Sequence, residues 1–285
     1  MKKNFWFSEK GLPYAQDTVE IRTFVEEILH DEQSQYAHIQ VFSTPFFGKM
    51  LVIDDIIQTT ESDEYIYHEM MVLLPSIRMG SPRKILIIGG GDGGAIKQAL
   101  RIKSVEEIIQ VEIDERVTEV SKKFLPSLSE NGFDDPRVKV LFTDGAEFLK
   151  SHKNEFDVIV LDLTDPKPDS PAEQLFEEPF LNDVKDALTK DGVVAIQSGS
   201  LLFQKEWVDT FYKRLQQVFP WVKLHTAVVP SYQLSPFAFV YASPKSLVNL
   251  SPVEVKEAFK NISEENRHLT PEMYSASGVI PNLGK

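Results

Sequence analysis

The sequence predicts an α/β protein, an open, doubly wound, Rossmann-like sheet preceded by a small antiparallel β domain. Three observations carry this. Continuous apolar runs at 85–88, 108–111, 138–141, 158–161 and 192–196 mark parallel strands buried on both faces. Helical patterns over 93–102, 114–124, 145–151 and 177–189 separate them, which makes βαβ units. Upstream the period is different: Val19, Ile21 and Val25 alternate with Glu20, Arg22 and Glu26, and Ile39 and Val41 with His38 and Gln40.

Taken in order, residues 17–60 read as β, with a hairpin at Met50-Leu51-Val52-Ile53, Asp54-Asp55, Ile56-Ile57. From Ser62 the apolar residues Ile66, Met70, Leu73 and Leu74 fall on one helical face, with Ser62 or Thr60 as N-cap. Pro75 and Gly80-Ser81-Pro82 then punctuate the chain, so the expected domains are 1–75 and 76–285. Segments 222–229 and 236–242 extend the large sheet as an antiparallel edge. There is no internal repeat and no low-complexity stretch.

Composition narrows the function. The 285 residues carry 43 Asp and Glu against 30 Lys and Arg, a net charge of −13. That balance speaks against a phosphate-backbone binder and for cationic or neutral ligands. With no cysteine, thiolate nucleophiles, disulfides and cysteine-held metals are excluded. The six scattered histidines show no metal-ligand spacing, and no metal is expected. The apolar stretch after Met1-Lys2-Lys3 stops at Ser8-Glu9-Lys10-Gly11, too soon for a signal peptide. No window resembles a membrane span, and a cytoplasmic protein is the expectation.

Ligands of open α/β sheets bind beyond the carboxyl ends of the strands. The first run is followed by Gly89-Gly90-Gly91-Asp92-Gly93-Gly94, a G-x-G-x-x-G turn. The second ends at Glu112, placed to hold a ribose diol, the third at Asp144-Gly145 and the fourth at Asp162, with Asp165 three residues on. A lone acid at a strand end is usually a solvated one. Four in succession, with no Lys or Arg among them, form a lining. Such a lining disfavours a pyrophosphate, since unit charges a few Å apart repel by about 4 kcal/mol at an effective dielectric near 20. It suits an adenosyl sulfonium beside an acidic pocket for a cationic second substrate. On the linking helix, Glu64, Tyr67 and His68 are spaced to form one polar stripe; by base expectation Tyr67 packs half-buried and His68 lies at the surface.

Taken together these motifs resemble the spermidine synthases, the polyamine aminopropyltransferases. The matching segments are Gly48-Lys49-Met50-Leu51-Val52-Ile53-Asp54, the run 58–70, the glycine turn 89–94, Val111-Glu112-Ile113-Asp114, Phe133-Asp134-Asp135-Pro136-Arg137-Val138, Asp144-Gly145 and Asp162-Leu163-Thr164-Asp165-Pro166. Val229-Pro230-Ser231-Tyr232 and Leu269-Thr270-Pro271-Glu272-Met273 extend the likeness over nearly the whole chain. The resemblance implies an aminopropyl transfer from decarboxylated S-adenosylmethionine, a co-substrate, with no prosthetic group, to an amine such as putrescine. It implies that Gln58, Gly89, Gly91, Asp92, Glu112, Asp144, Gly145 and Pro171 hold the nucleoside. Asp162, helped by Tyr67, is implied as acid/base. His68, Asp92, Asp162, Asp165 and Tyr232 are implied around the amine. A homodimer or homotetramer assembled through the β domain, with no nucleic-acid or membrane partner, completes the expectation.

The chain departs from the family pattern at several points. Ala37 stands where relatives commonly have Gln, with Gln35 expected on the same strand face. The loop Pro166-Lys167-Pro168-Asp169-Ser170-Pro171 is two residues longer than usual, and Tyr232-Gln233-Leu234-Ser235-Pro236, Leu163 and Ile196-Gln197-Ser198-Gly199-Ser200 also differ. These differences lean toward longer or unusual acceptors, agmatine and cadaverine among the alternatives. An S-adenosylmethionine methyltransferase would share the Rossmann core but leave Asp162, Asp165 and the β domain unexplained. A non-catalytic polyamine-binding protein would leave Asp162 and Tyr67 without a task.

Overall fold

The computed structural model describes residues 3–9, 20–165, 173–232 and 235–280. Five antiparallel strands form the first sheet in sequence order: β1 (Lys3–Ser8), β2 (Arg22–Gln33), β3 (His38–Thr44), β4 (Gly48–Ile53) and β5 (Ile56–Thr60). The expected hairpin joins β4 and β5. Asp54 and Asp55 both take positive φ, 51° and 64°, the pair that a two-residue I′ turn requires. Both faces of this sheet are covered, which is why β4 reads as an unbroken apolar run. Ile39, Val41, Leu51 and Ile53 pack on Val117, Val120, Leu125 and Leu128 of the second unit. Phe42, Met50, Val52 and Ile57 face the other way, under Phe7. A bidentate pair from Arg116 to Glu32, 2.8 Å at each nitrogen, ties the sheet to the second unit at its rim.

The second sheet has the order β11-β12-β10-β9-β6-β7-β8, made of β6 (Lys84–Gly89), β7 (Glu107–Glu112), β8 (Val138–Phe142), β9 (Phe156–Asp162), β10 (Leu188–Ser200), β11 (Trp221–Val228) and β12 (Pro236–Ser243). β6 to β10 run parallel, and β12 is antiparallel to both its neighbours. Side chains alternate between two cores: Ile85, Ile87, Val158 and Val160 on one side, Leu86, Ile88, Ile159 and Leu161 on the other. β8 departs from the expectation of burial on both faces. It is the edge strand, and Leu141 and Phe142 are 40% and 43% exposed.

Four α-helices among the described residues add to those expected, the short Pro126–Ser129 and then Lys205–Val218, Pro252–Phe259 and Pro271–Ala276. The second of them carries the helical spacing Val208, Phe211, Leu215, Val218, all buried. The linking helix also differs from its expected form. It runs Glu64–His68 as α, Glu69–Leu73 as a π turn and Leu74–Met79 as α, so Pro75 lies inside it. Pro75 has no N–H to give the Met71 carbonyl, and the widened turn stands directly before it. Asp63 takes the N-cap position in place of Ser62 or Thr60, and its carboxylate accepts from Thr60 Oγ1 (2.6 Å) and from the backbone N–H of Ser231 (2.7 Å). The apolar face of this helix joins the core of the large sheet, so one layer gives way to the other at 61–64, ahead of the Pro75–Pro82 punctuation. Glu69, in the π turn, accepts three consecutive backbone N–H groups, from Arg267, His268 and Leu269, at 2.7–2.9 Å.

Candidate active site

Strand order reverses between β6 and β9, and there the paired residues are Gly89 and Asp162. This is the switch point where α/β sheets open a crevice. The chain turns sharply at Gly89 (φ 83°), where a Cβ would lie 2.0 Å from the Asp162 carbonyl oxygen. Only glycine fits. The Gly90 N–H donates to that same carbonyl at 3.0 Å. Beneath the turn, buried Gln110 donates its amide to the carbonyls of Gly89 (2.9 Å) and Gly90 (2.6 Å). That support was not foreseen from the sequence; a lone polar residue in an apolar strand was its only signal.

A cavity opens over these strand ends. Gln58, Gly89, Gly91, Asp92, Glu112, Asp144 and Gly145 line it. Tyr67, Asp162, Asp165 and Tyr232, proposed for the amine, line the same cavity. Glu9 and Asp54 of the small sheet add two acids that strand-end logic did not reveal, and no Lys or Arg is among the described lining residues. Pro171 and the loop 166–171 lie outside the described residues. Ala37 lines the cavity, whereas Gln35 sits exposed in the bend between β2 and β3, on no strand face.

Each carboxylate has its own electrostatic setting. Tyr67 Oη donates to Asp162 Oδ1 at 2.6 Å. Burial, reinforced by the charge of Asp92, pushes the Asp162 carboxyl up to about 6, against the opposing pull of His68 and the Tyr67 hydrogen bond. Burial likewise raises Glu112 to about 7, although the Asp114 N–H donates to it at 3.0 Å. Asp144 is exposed and caps the following helix through the N–H groups of Ala146 (2.7 Å) and Glu147 (3.1 Å). Asp165 accepts amide N–H groups from Gln197 (3.2 Å) and Gln204 (3.0 Å), both of which line the cavity. Tyr232 Oη donates to the Gln58 carbonyl. Burial raises both tyrosine hydroxyls well above their ordinary value, so they act as donors.

His68 is not where either expectation puts it. It is 1% exposed, neither at the surface nor on the cavity wall. Its Nδ1 pairs with Glu64 Oε2 at 2.7 Å and its Nε2 lies 3.5 Å from Asp92 Oδ1. Burial opposes its charge, yet Asp92 and Glu64 overcome that and raise it to about 10. The polar stripe of the helix is real, but only Tyr67 reaches the cavity.

Residues 64–252 match the spermine/spermidine synthase domain, and residues 5–61 the spermidine synthase tetramerisation domain. The chain belongs to the spermine/spermidine synthase family. It is 36% identical over 281 residues to a polyamine aminopropyltransferase of Thermoanaerobacter sp. (strain X514), covering 98% of this chain and 97% of that one. A polyamine aminopropyltransferase of Ruegeria sp. (strain TM1040) is 34% identical over 288 residues, covering 100% and 99%. Among solved structures, a spermidine synthase in complex with the transition-state analogue AdoDATO superposes with a TM-score of 0.89 at 32% identity, covering 99% of this chain and 94% of that one. Spermidine synthase from Thermotoga maritima gives 0.88 at 32% identity, covering 99% and 93%. The chain is thus an enzyme of the aminopropyltransferase type, with the family's two-unit architecture. No helix among the described residues is long and apolar enough to cross a membrane.

Proposed function

We propose that the chain transfers the aminopropyl group of decarboxylated S-adenosylmethionine to an amine acceptor, putrescine foremost, giving spermidine and methylthioadenosine. The observation that carries this reading is the cavity wall: carboxylates from four strand ends, no Lys or Arg among the described lining residues, and Asp162 hydrogen-bonded to Tyr67 at the switch point. A sulfonium and a diamine are the cations such a wall suits.

In this reading Glu112 takes the ribose hydroxyls, and Gln58, Asp144, Gly145 and the glycine turn surround the nucleoside. Asp92 faces the donor's cationic chain. Asp165 and Tyr232 flank the amine. The acceptor nitrogen forms a bond to the methylene carbon beside sulfur, and the carbon–sulfur electron pair goes to sulfur, leaving a neutral thioether. The nitrogen must first lose a proton. An amine in water holds it to about pH 10; burial raises the Asp162 acceptor and the nearby sulfonium lowers the amine, so the gap closes from both sides. Tyr67 keeps Asp162 aimed. Alignment of two bound substrates supplies ~7–11 kcal/mol, more than proton transfer contributes. We also assign the small sheet the assembly role, as a homodimer or homotetramer.

The test is methylthioadenosine release with decarboxylated S-adenosylmethionine and a panel of putrescine, cadaverine, agmatine, spermidine and norspermidine. Turnover fastest with putrescine is expected. A best rate with another amine reassigns the acceptor; methyl transfer from intact S-adenosylmethionine without thioether release overturns the reading.

A further inference from the structure

The last glycine of the turn 89–94 serves a side chain. A Cβ on Gly94 would lie 2.1 Å from His68 Cε1 and 2.4 Å from Nδ1, so the imidazole is seated flat on the Gly94 backbone. From that seat a row of alternating charges runs through the protein. Lys97 Nζ donates to Glu64 Oε1 at 2.8 Å, Glu64 Oε2 holds His68 Nδ1 at 2.7 Å, and His68 Nε2 faces Asp92 Oδ1 at 3.5 Å. The row starts at a second cavity, which Lys97 lines beside Arg101 and Arg267, and ends at the wall of the first. Asp92 Oδ1 also accepts the Gly94 N–H at 2.7 Å. That oxygen is held from behind by two partners, and the other is left to the cavity.

We propose that His68 is a positioning residue: seated on Gly94 and backed by Glu64 and Lys97, it fixes Asp92 and biases the ionisation of Asp162 without itself lining the cavity. The titratable groups facing Asp162 are His68 and Tyr67 from the linking helix, Asp92 from the glycine turn, Glu112 from β7 and Tyr232 from the loop before β12. Those facing His68 are Glu64 on its own helix, with Asp92 and Asp162 opposite. Among the described residues His68 is the sole cation that faces Asp162. Its charge lowers Asp162 while burial and Asp92 raise it. Glu64, which two cations hold down to about 2 against the effect of burial, stays ionised throughout the working range.

The inference rests on the proposed aminopropyl transfer, and wild-type turnover tests that reading separately. Its own test is the pH dependence of kcat/KM for the amine. Removing the imidazolium raises Asp162 further, so less of it is ionised near neutrality. His68→Gln should move the acid limb up by about one pH unit, a loss of about tenfold below the limb, with a plateau and an amine KM within about twofold of wild type. Lys97→Met, at the outer end of the row, should move the limb the same way with about a twofold loss, and Lys97→Arg should restore it. This pair decides the matter if His68→Gln does not fold. In nitrogen-15 spectra of the free protein the His68 imidazole should stay protonated to pH 9, and should titrate between pH 6 and 8 in Glu64→Gln. An unmoved limb in both His68→Gln and Lys97→Met overturns the proposal. So does a tenfold rise in amine KM with the limb in place, which would make His68 a direct contact, or an imidazole that titrates alike with and without Glu64.

Discussion

Where the nucleoside is proposed to bind, the carboxylates are held by backbone N–H groups of their own strand–helix turns, Glu112 by Asp114 and Asp144 by Ala146 and Glu147. Where the amine is proposed to bind, each polar group is held by a residue far away in the chain: Asp162 by Tyr67, Asp165 by Gln197 and Gln204, and the Tyr232 hydroxyl by the Gln58 carbonyl. The first arrangement is local, survives as long as the turn does, and offers the same groups before and during reaction. The second exists only when the whole fold has closed, and it fixes orientation. Substitutions on the first side should therefore register in binding, and on the second in turnover.

The largest effect tests the amine side. Asp162→Asn should fold, bind decarboxylated S-adenosylmethionine and lose ~10²–10⁴-fold in kcat. Steady-state rates beside a calorimetric titration separate the two, and a kcat within tenfold of wild type would remove Asp162 from the proton transfer. Next comes the nucleoside side. Glu112→Gln should raise the nucleoside KM by about 10-fold or more while kcat changes little; a fall confined to kcat would break the division between the halves.

Glu112 also makes a prediction about stability. Folding raises its carboxyl to about 7 from an ordinary 4.5, so its contribution is whole below about 4.5 and is lost as pH rises through about 7. Asp162, at about 6, has the same sign. The free protein should lose melting temperature between pH 5 and pH 8, and Glu112→Gln should flatten that fall by an amount on the order of 2–3 kcal/mol. Equal slopes for the two proteins would contradict the buried setting of Glu112.

Smaller still is the effect at Asp92, which both halves share. Intact S-adenosylmethionine carries a carboxylate that Asp92 repels, so it should bind more weakly than the decarboxylated form, and Asp92→Asn should narrow that gap several-fold. Titration of both nucleosides measures it; equal affinities in the wild type would sink the argument. Last, Tyr232→Phe should lower kcat a few-fold and lower stability by about 1 kcal/mol, the worth of one hydrogen bond. A change in nucleoside KM instead would place Tyr232 on the wrong side.

The same division governs what the sequence could reveal. Period and punctuation announce the strands, the Asp54-Asp55 hairpin and the acids at the strand ends, because each is a short-range pattern. They also mislead in a physical way. The apolar run of β8 suggests a buried strand, yet the chain ends the sheet there and leaves Phe142 exposed. Pro75 suggests a boundary, yet a widened helical turn absorbs it. Glu64 and His68 were visible as an i,i+4 pair, but their burial depends on Gly94 and Lys97, about thirty residues on. Gln204 and Glu9 give no local signal, and Gln110 only that of a lone polar residue in an apolar strand, since their partners are brought to them by topology alone.

The grip of Glu69 on the N–H groups of Arg267, His268 and Leu269 has a mechanical consequence. Glu69 lies one residue beyond His68 and two beyond Tyr67, on the same helix. Tension applied to the carboxyl-terminal segment, by a fused partner or a surface tether, meets first the bonds of Ser277 to Thr226 and His225 of β11 and then the three bonds to Glu69, on the helix that aims the tyrosine. Tension at the amino end is borne first by the small sheet. An immobilised form anchored at the front should keep its rate, and one anchored at the back should run with a strained tyrosine.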